Sequence, residues 1–169
     1  MTNWNRSGIA LVAVTLLSAN AWAGGGPSGH SHGHGHGHGH GETFSAGEPG
    51  NPKKPARIVQ VAMGERDGKM LFVPERLQVK KGEQVKFVLR NNGELEHEFV
   101  LASTADNLKH AEEMKKHPDM VHEEPNGRQL APKKSGEIVW KFTKAGEFEY
   151  ACLIPGHREA GMTGTIRVK

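Results

Sequence analysis

The strongest constraint on what this 169-residue chain can fold into is a series of short, β-branched segments ending at Gly, Pro or Asn. Arg57–Met63 and Gln84–Arg90 alternate apolar and polar residues, as a strand with one buried face does. Met70–Val73, Leu77–Val79, His97–Leu101, Glu137–Phe142, Gly146–Cys152 and Gly164–Lys169 continue the pattern, with turns at Pro74, Lys80–Glu83 and Asn91–Gly93. Short strands at regular spacing predict an all-β sandwich. One stretch breaks the rhythm. Asp106 can cap a helix running through Asn107–Lys116, with Pro118 just past its end, and Pro125, Asn126, Gly127 and Pro132 mark a loop after it.

The first residues have a different character. A segment carrying Arg6 leads into the apolar run Ile9–Leu17 and then Ala21-Trp22-Ala23, the pattern of a secretory signal peptide over residues 1–23. The apolar run is too short to span a bilayer. No later stretch is more apolar, so the mature chain is expected in the periplasm, without membrane insertion. Residues 24–56 are rich in Gly, Ser, Pro and His and offer little to bury, which predicts a disordered tail. Within it His30, His32, His34, His36, His38 and His40 alternate mostly with Gly. Expression tags are usually unbroken His runs at a terminus. This spaced tract beside the cleavage site reads instead as a metal-binding tail, without preference among copper, zinc and nickel.

Residues 57–169 remain for one domain, at about 110 residues enough to bury a core without disulfides. Basic residues are interleaved with Asp and Glu rather than clustered, which argues against nucleic acid as a partner. There is a single cysteine, Cys152. An exported chain cannot close an internal disulfide with one thiol, and metal ligation is one way to occupy it.

The residues around Cys152 favour that use. Cys152, His157 and Met162 are spaced by five and straddle a Pro155-Gly156 turn, so one loop can wrap thiolate, imidazole and thioether around an ion. A second imidazole from a distant strand would complete two His, one Cys and a weak Met, the ligand set of a mononuclear electron-transfer copper site. Zinc also accepts Cys and His, but a thioether argues against it. Taken singly, Met162 would be core packing, His97 a surface histidine and Cys152 an inert buried thiol.

In these residues the chain resembles the cupredoxin family of blue-copper proteins. His97, at the start of a strand after the Asn-Asn-Gly turn, precedes a C-terminal Cys-x4-His-x4-Met loop similar to that of longer-loop members such as rusticyanin and auracyanin. The resemblance covers residues 57–169. It implies a Greek-key β-sandwich with one short helical insertion, and a copper cofactor held by His97, Cys152, His157 and Met162. The insertion adds His110, Met114, His117, Met120 and His122. On a helix, His110, Met114 and His117 share a face, which could form a second copper site. Equally, Leu108, Ala111 and Met114 could dock the helix on the sandwich and leave the histidines in water, and both readings stay open here. Together with the His-rich leader, the insertion resembles periplasmic copper-tolerance cupredoxins of the CopI type.

Two roles follow from these features. The first is capture or buffering of copper for copper tolerance. The alternative is a soluble electron carrier between redox partners. The expected partners are copper ions and a periplasmic redox or copper-handling protein. The tail and the insertion have no evident use in simple electron transfer, which favours capture. An enzyme is not expected, because a multicopper oxidase needs further His pairs and no His-x-His lies within residues 57–169.

Overall fold

The computed structural model describes residues 43–117 and 124–169. Ten strands and one helix follow in chain order: β1 (Glu48–Pro49), β2 (Arg57–Arg66), β3 (Lys69–Val73), β4 (Arg76–Val79), β5 (Gln84–Asn91), β6 (His97–Ala102), α1 (Thr104–Lys116), β7 (Gly127–Leu130), β8 (Ser135–Lys141), β9 (Gly146–Ala151) and β10 (Thr163–Val168). They form two five-stranded sheets, ordered β1-β8-β5-β2-β3 and β4-β10-β9-β6-β7. β2 with β5 and β4 with β10 run parallel, and the other pairs are antiparallel. This is the all-β Greek-key sandwich that the strand pattern and the resemblance lead one to expect.

The inward side chains of the alternating strands meet in one core. Val59, Val61 and Met63 of β2 and Val85, Phe87 and Leu89 of β5 face Phe99, Tyr150 and Ile166 of the other sheet. Phe99 stacks on Tyr150 at 5.2 Å and Phe72 meets the same tyrosine edge-on at 5.2 Å. Burying each of these large side chains contributes about 2 kcal/mol.

Strand β6 differs from the others, because all six of its residues are buried. Its inner face lies in the sandwich core. On its outer face, Val100 packs with Ala151 and Leu153 against Ala111 and Met114 of α1. The helix starts earlier than the sequence suggests. Ser103, not Asp106, is the cap: its Oγ accepts from the Asp106 amide at 3.1 Å while its hydroxyl donates to Asp106 Oδ2 at 2.7 Å. This is a reciprocal capping pair with an acidic residue in the first turn.

Three further differences from expectation have tertiary causes. The tail predicted over residues 24–56 ends sooner, because residues 43–56 are built into the sandwich. Phe44 meets Trp140 edge-on at 5.3 Å, the Trp140 indole donates to the Ala46 carbonyl, and β1 pairs with β8. Ala46 is fully buried, yet its neighbours Ser45, Gly47 and Pro49 carry no periodic signal. β7, expected as loop, is a strand because it closes the edge of β6. The helix docks through Ala111 and Met114, while Leu108 stays exposed. The signal segment 1–23 and the His30–His40 tract lie outside the described residues. Among the described residues no helix is long and apolar enough to cross a membrane.

Candidate metal centre

Two pieces of chain that are distant in the sequence meet beside β6. The first is the arm that runs from β5 into β6. Asn91, fully buried, donates from Nδ2 to the carbonyls of Leu95 (2.7 Å) and Leu130 (2.9 Å) and accepts from the Gly93 amide at 2.9 Å. The arm is thereby folded tightly enough to bring His97 into the interior as the first residue of β6. Nε2 of His97 lies 2.6 Å from Oε1 of Glu65 at the end of β2. An ionised carboxylate can only accept, so Glu65 fixes the proton on Nε2 and leaves Nδ1 as the lone-pair nitrogen. That Nδ1 is buried without a hydrogen-bond partner among the described residues.

The second piece is the loop between β9 and β10. The Pro155-Gly156 turn forms as the sequence predicts, with Gly156 at φ +90°, a conformation that glycine adopts without strain. The His157 amide donates to Ile154, the Met162 amide to His157, and the Cys152 amide to Met162, so Cys152, His157 and Met162 are held by the loop's own backbone. Cys152 and Met162 are fully buried, and His157 is half-buried. Arg158 and Glu149 form an ion pair at 3.0 Å, and Asn107 of α1 donates to the same carboxylate. The loop is thus tied to the helix that covers it.

The two pieces converge on the Cys152 thiol. His97, Cys152 and His157 each offer a ligating atom, and the three atoms lie within 4.8 Å of one another. Nδ1 of His157 is 3.3 Å from Sγ, and the Glu98 amide donates to the same sulfur at 3.3 Å. The two imidazole rings stand 5.2 Å apart. Met162, spliced by backbone hydrogen bonds to both Cys152 and His157, belongs to the core cluster that contains Cys152. Burial pushes the thiol up to about 12, against the opposing Glu98 and Ile154 amides. Burial and the neighbouring His97 lower the His157 imidazole, which keeps its lone pair available. A soft thiol and two imidazoles, one of them with a buried, partnerless nitrogen, fit a copper ion.

Of the five insertion residues named for a possible second copper site, His110, Met114 and His117 lie among the described residues. Met114 is buried between α1 and the sheet, so its thioether packs rather than faces solvent. His110 is half-buried on the helix, and His117 is exposed at its C-terminal cap. Met120 and His122 lie outside the described residues. Among the described residues, His97, Cys152 and His157 form the one convergent group of His, Cys and acidic side chains.

Two residues of the centre are silent in the sequence. Glu65 lies 32 residues before His97 and reads as a polar end to a strand. Glu98 sits on the fully buried β6, and burial raises its carboxyl to about 7 despite the Leu153 amide, with Glu124 and Glu96 adding to the rise. The one available signal is a charged residue inside the His97–Leu101 strand segment.

Residues 59–169 match the family described as copper binding proteins, plastocyanin/azurin family. The chain therefore belongs to the plastocyanin/azurin family of copper-binding proteins. More particularly, it is similar to the copper-resistant cuproprotein CopI of Rubrivivax gelatinosus, with 51% identity over 123 residues covering 73% of each chain. The CopI of Pseudomonas aeruginosa is 35% identical over 152 residues, 73% of this chain and 82% of the relative. Among solved structures, reduced auracyanin from Roseiflexus castenholzii has a TM-score of 0.57 at 18% identity, over 69% of this chain and 99% of that one. That likeness concerns the fold.

Proposed function

We propose that this protein is exported to the periplasm, holds one copper ion through His97, Cys152, His157 and Met162, and captures or buffers copper for copper tolerance. The observation that carries the reading is the convergence of His97, Cys152 and His157 within 4.8 Å in a chain 51% identical to a copper-resistant cuproprotein. Copper held there has a one-electron couple, since sulfur donors favour Cu(I) and imidazoles serve both oxidation states.

The protein's own groups do the selecting. The Glu98 amide at 3.3 Å is placed to stabilise a thiolate on Cys152. Because burial holds the thiol protonated in the metal-free protein, binding releases its proton and affinity rises with pH. His97 presents Nδ1 from a buried position, whereas half-buried His157 is the ligand nearer to water. The tail imidazoles His30–His40 would raise the local supply of copper to the centre. The reading is that of a metal-binding protein and not an enzyme, in keeping with a family defined by copper binding.

Exposure of the His157 edge is the specific feature that favours the second reading, electron transfer to a docked periplasmic partner. A strain lacking the protein separates the two. Copper sensitivity, rescued by the wild type but not by Cys152→Ser, is the expected result. Unchanged copper tolerance with slowed electron flow would replace capture with transfer.

A further inference from the structure

The carboxylate of Glu65 is engaged on every side that faces the protein. Its Oε1 meets Nε2 of His97 at 2.6 Å and accepts from the Leu95 amide at 3.2 Å, while Oε2 accepts from the Glu94 amide at 2.9 Å. Space for this head group exists because residue 93 is glycine. A Cβ there would stand 2.5 Å from a Glu65 carboxylate oxygen. Two backbone amides and the His97 imidazole converge on this one carboxylate, an arrangement of donors that favours the ionised form. The result is an anion fixed on the far side of the imidazole whose other nitrogen is buried and partnerless. Carboxylates in that position orient a ligating histidine and raise its basicity.

We propose that Glu65 is a positioning residue of the metal centre: it locks the His97 ring with Nδ1 inward and biases the bound ion towards Cu(II). This rests on the reading of His97 and Cys152 as copper ligands. A fixed negative charge one ring away favours the more positive oxidation state. Its removal should therefore weaken Cu(II) relative to Cu(I) by about tenfold, which is about 59 mV for one electron. A role confined to holding the Glu94–Leu95 turn would leave that ratio unchanged.

Two substitutions divide orientation from charge. In Glu65→Gln the amide oxygen still accepts from His97 and Leu95, while the charge and the bond from the Glu94 amide are lost. Glu65→Ala loses both. The test uses the full-length chain loaded with a Cu(II) salt, reading the visible copper–thiolate band and the reduction potential, with Cys152→Ser as control. The tail cannot produce a thiolate band, so its own copper does not interfere. Expected is a wild-type band in Glu65→Gln with the potential raised by about 59 mV, the tenfold shift above. Glu65→Ala should show a shifted or weakened band, restored by Gln at the same position. Should Glu65→Ala fail to fold, the Gln variant alone decides. If Glu65→Gln keeps the wild-type potential while the band is present in the wild type and absent in Cys152→Ser, the ligand reading stands and the role of Glu65 is overturned. If the wild type shows no thiolate band, the ligand reading fails and this inference falls with it.

Discussion

The two halves of the metal centre are built in different ways. The Cys152–Met162 loop carries its ligand candidates within one short stretch and ties them with hydrogen bonds between near neighbours. The Asn91–His97 arm carries one imidazole and depends on distant partners: Leu130 for Asn91, and Glu65 for His97. The loop is a local device, partly open to water at His157. The arm is a buried device that exists only once both sheets have formed. The Glu98 amide joins them, since it follows His97 in the chain and donates to Cys152.

If the arm is the costlier half to disturb, Asn91→Ala should have the largest effect. It removes three hydrogen bonds, two of them buried, and strands their partners, for a loss of about 4 kcal/mol in urea unfolding of the metal-free protein. A loss under about 1 kcal/mol would mean that the arm is held by something other than Asn91.

Glu98 tests the junction by pH. Its carboxyl is raised from 4.5 to about 7 by burial, so the folded protein keeps it protonated where the unfolded chain ionises it. Its contribution to stability is full below about pH 4.5 and is lost as pH rises through 7, a change of about 3 kcal/mol. In Glu98→Gln that part of the pH dependence should vanish. An unchanged profile between pH 4.5 and 7.5 in this variant would place the titrating group elsewhere.

The smallest effect is expected in the loop. Arg158→Ala breaks the ion pair with Glu149, but Asn107 still holds that carboxylate, and the loss should stay below about 1 kcal/mol. A larger loss would show that the loop leans on Glu149 of β9 as heavily as the arm leans on β2. The thiol adds a kinetic check on the same half. Burial pushes Cys152 up to about 12, so alkylation of the metal-free protein at pH 8 should run ~1,000-fold slower than for a free cysteine. Reaction at the rate of free cysteine would show that the loop opens readily.

The same contrast explains what could be read from the sequence. The loop's candidates share one motif, and their order and spacing are visible without any fold. The strands, too, are legible, since period-two alternation reports a half-buried sheet. Glu65 is not legible, because its partner lies 32 residues away and nothing local distinguishes it from a solvated strand end. Phe44 and Ala46 are missed for a similar reason: they sit in a Gly/Ser/Pro-rich stretch, and only Trp140 gives them a place. Met114 is open to two readings in the sequence, metal ligand or helix docking. Its spacing from His110 and His117 suggests metal chemistry, whereas its environment of Val100, Ala151 and Leu153 makes it packing.

The most direct test of the proposed copper centre is the visible spectrum of the copper-loaded protein beside that of Cys152→Ser. With Sγ 3.3 Å from His157 Nδ1 and grouped with His97, the assignment predicts an intense thiolate–copper band that the substitution abolishes. Persistence of that band in Cys152→Ser would contradict it.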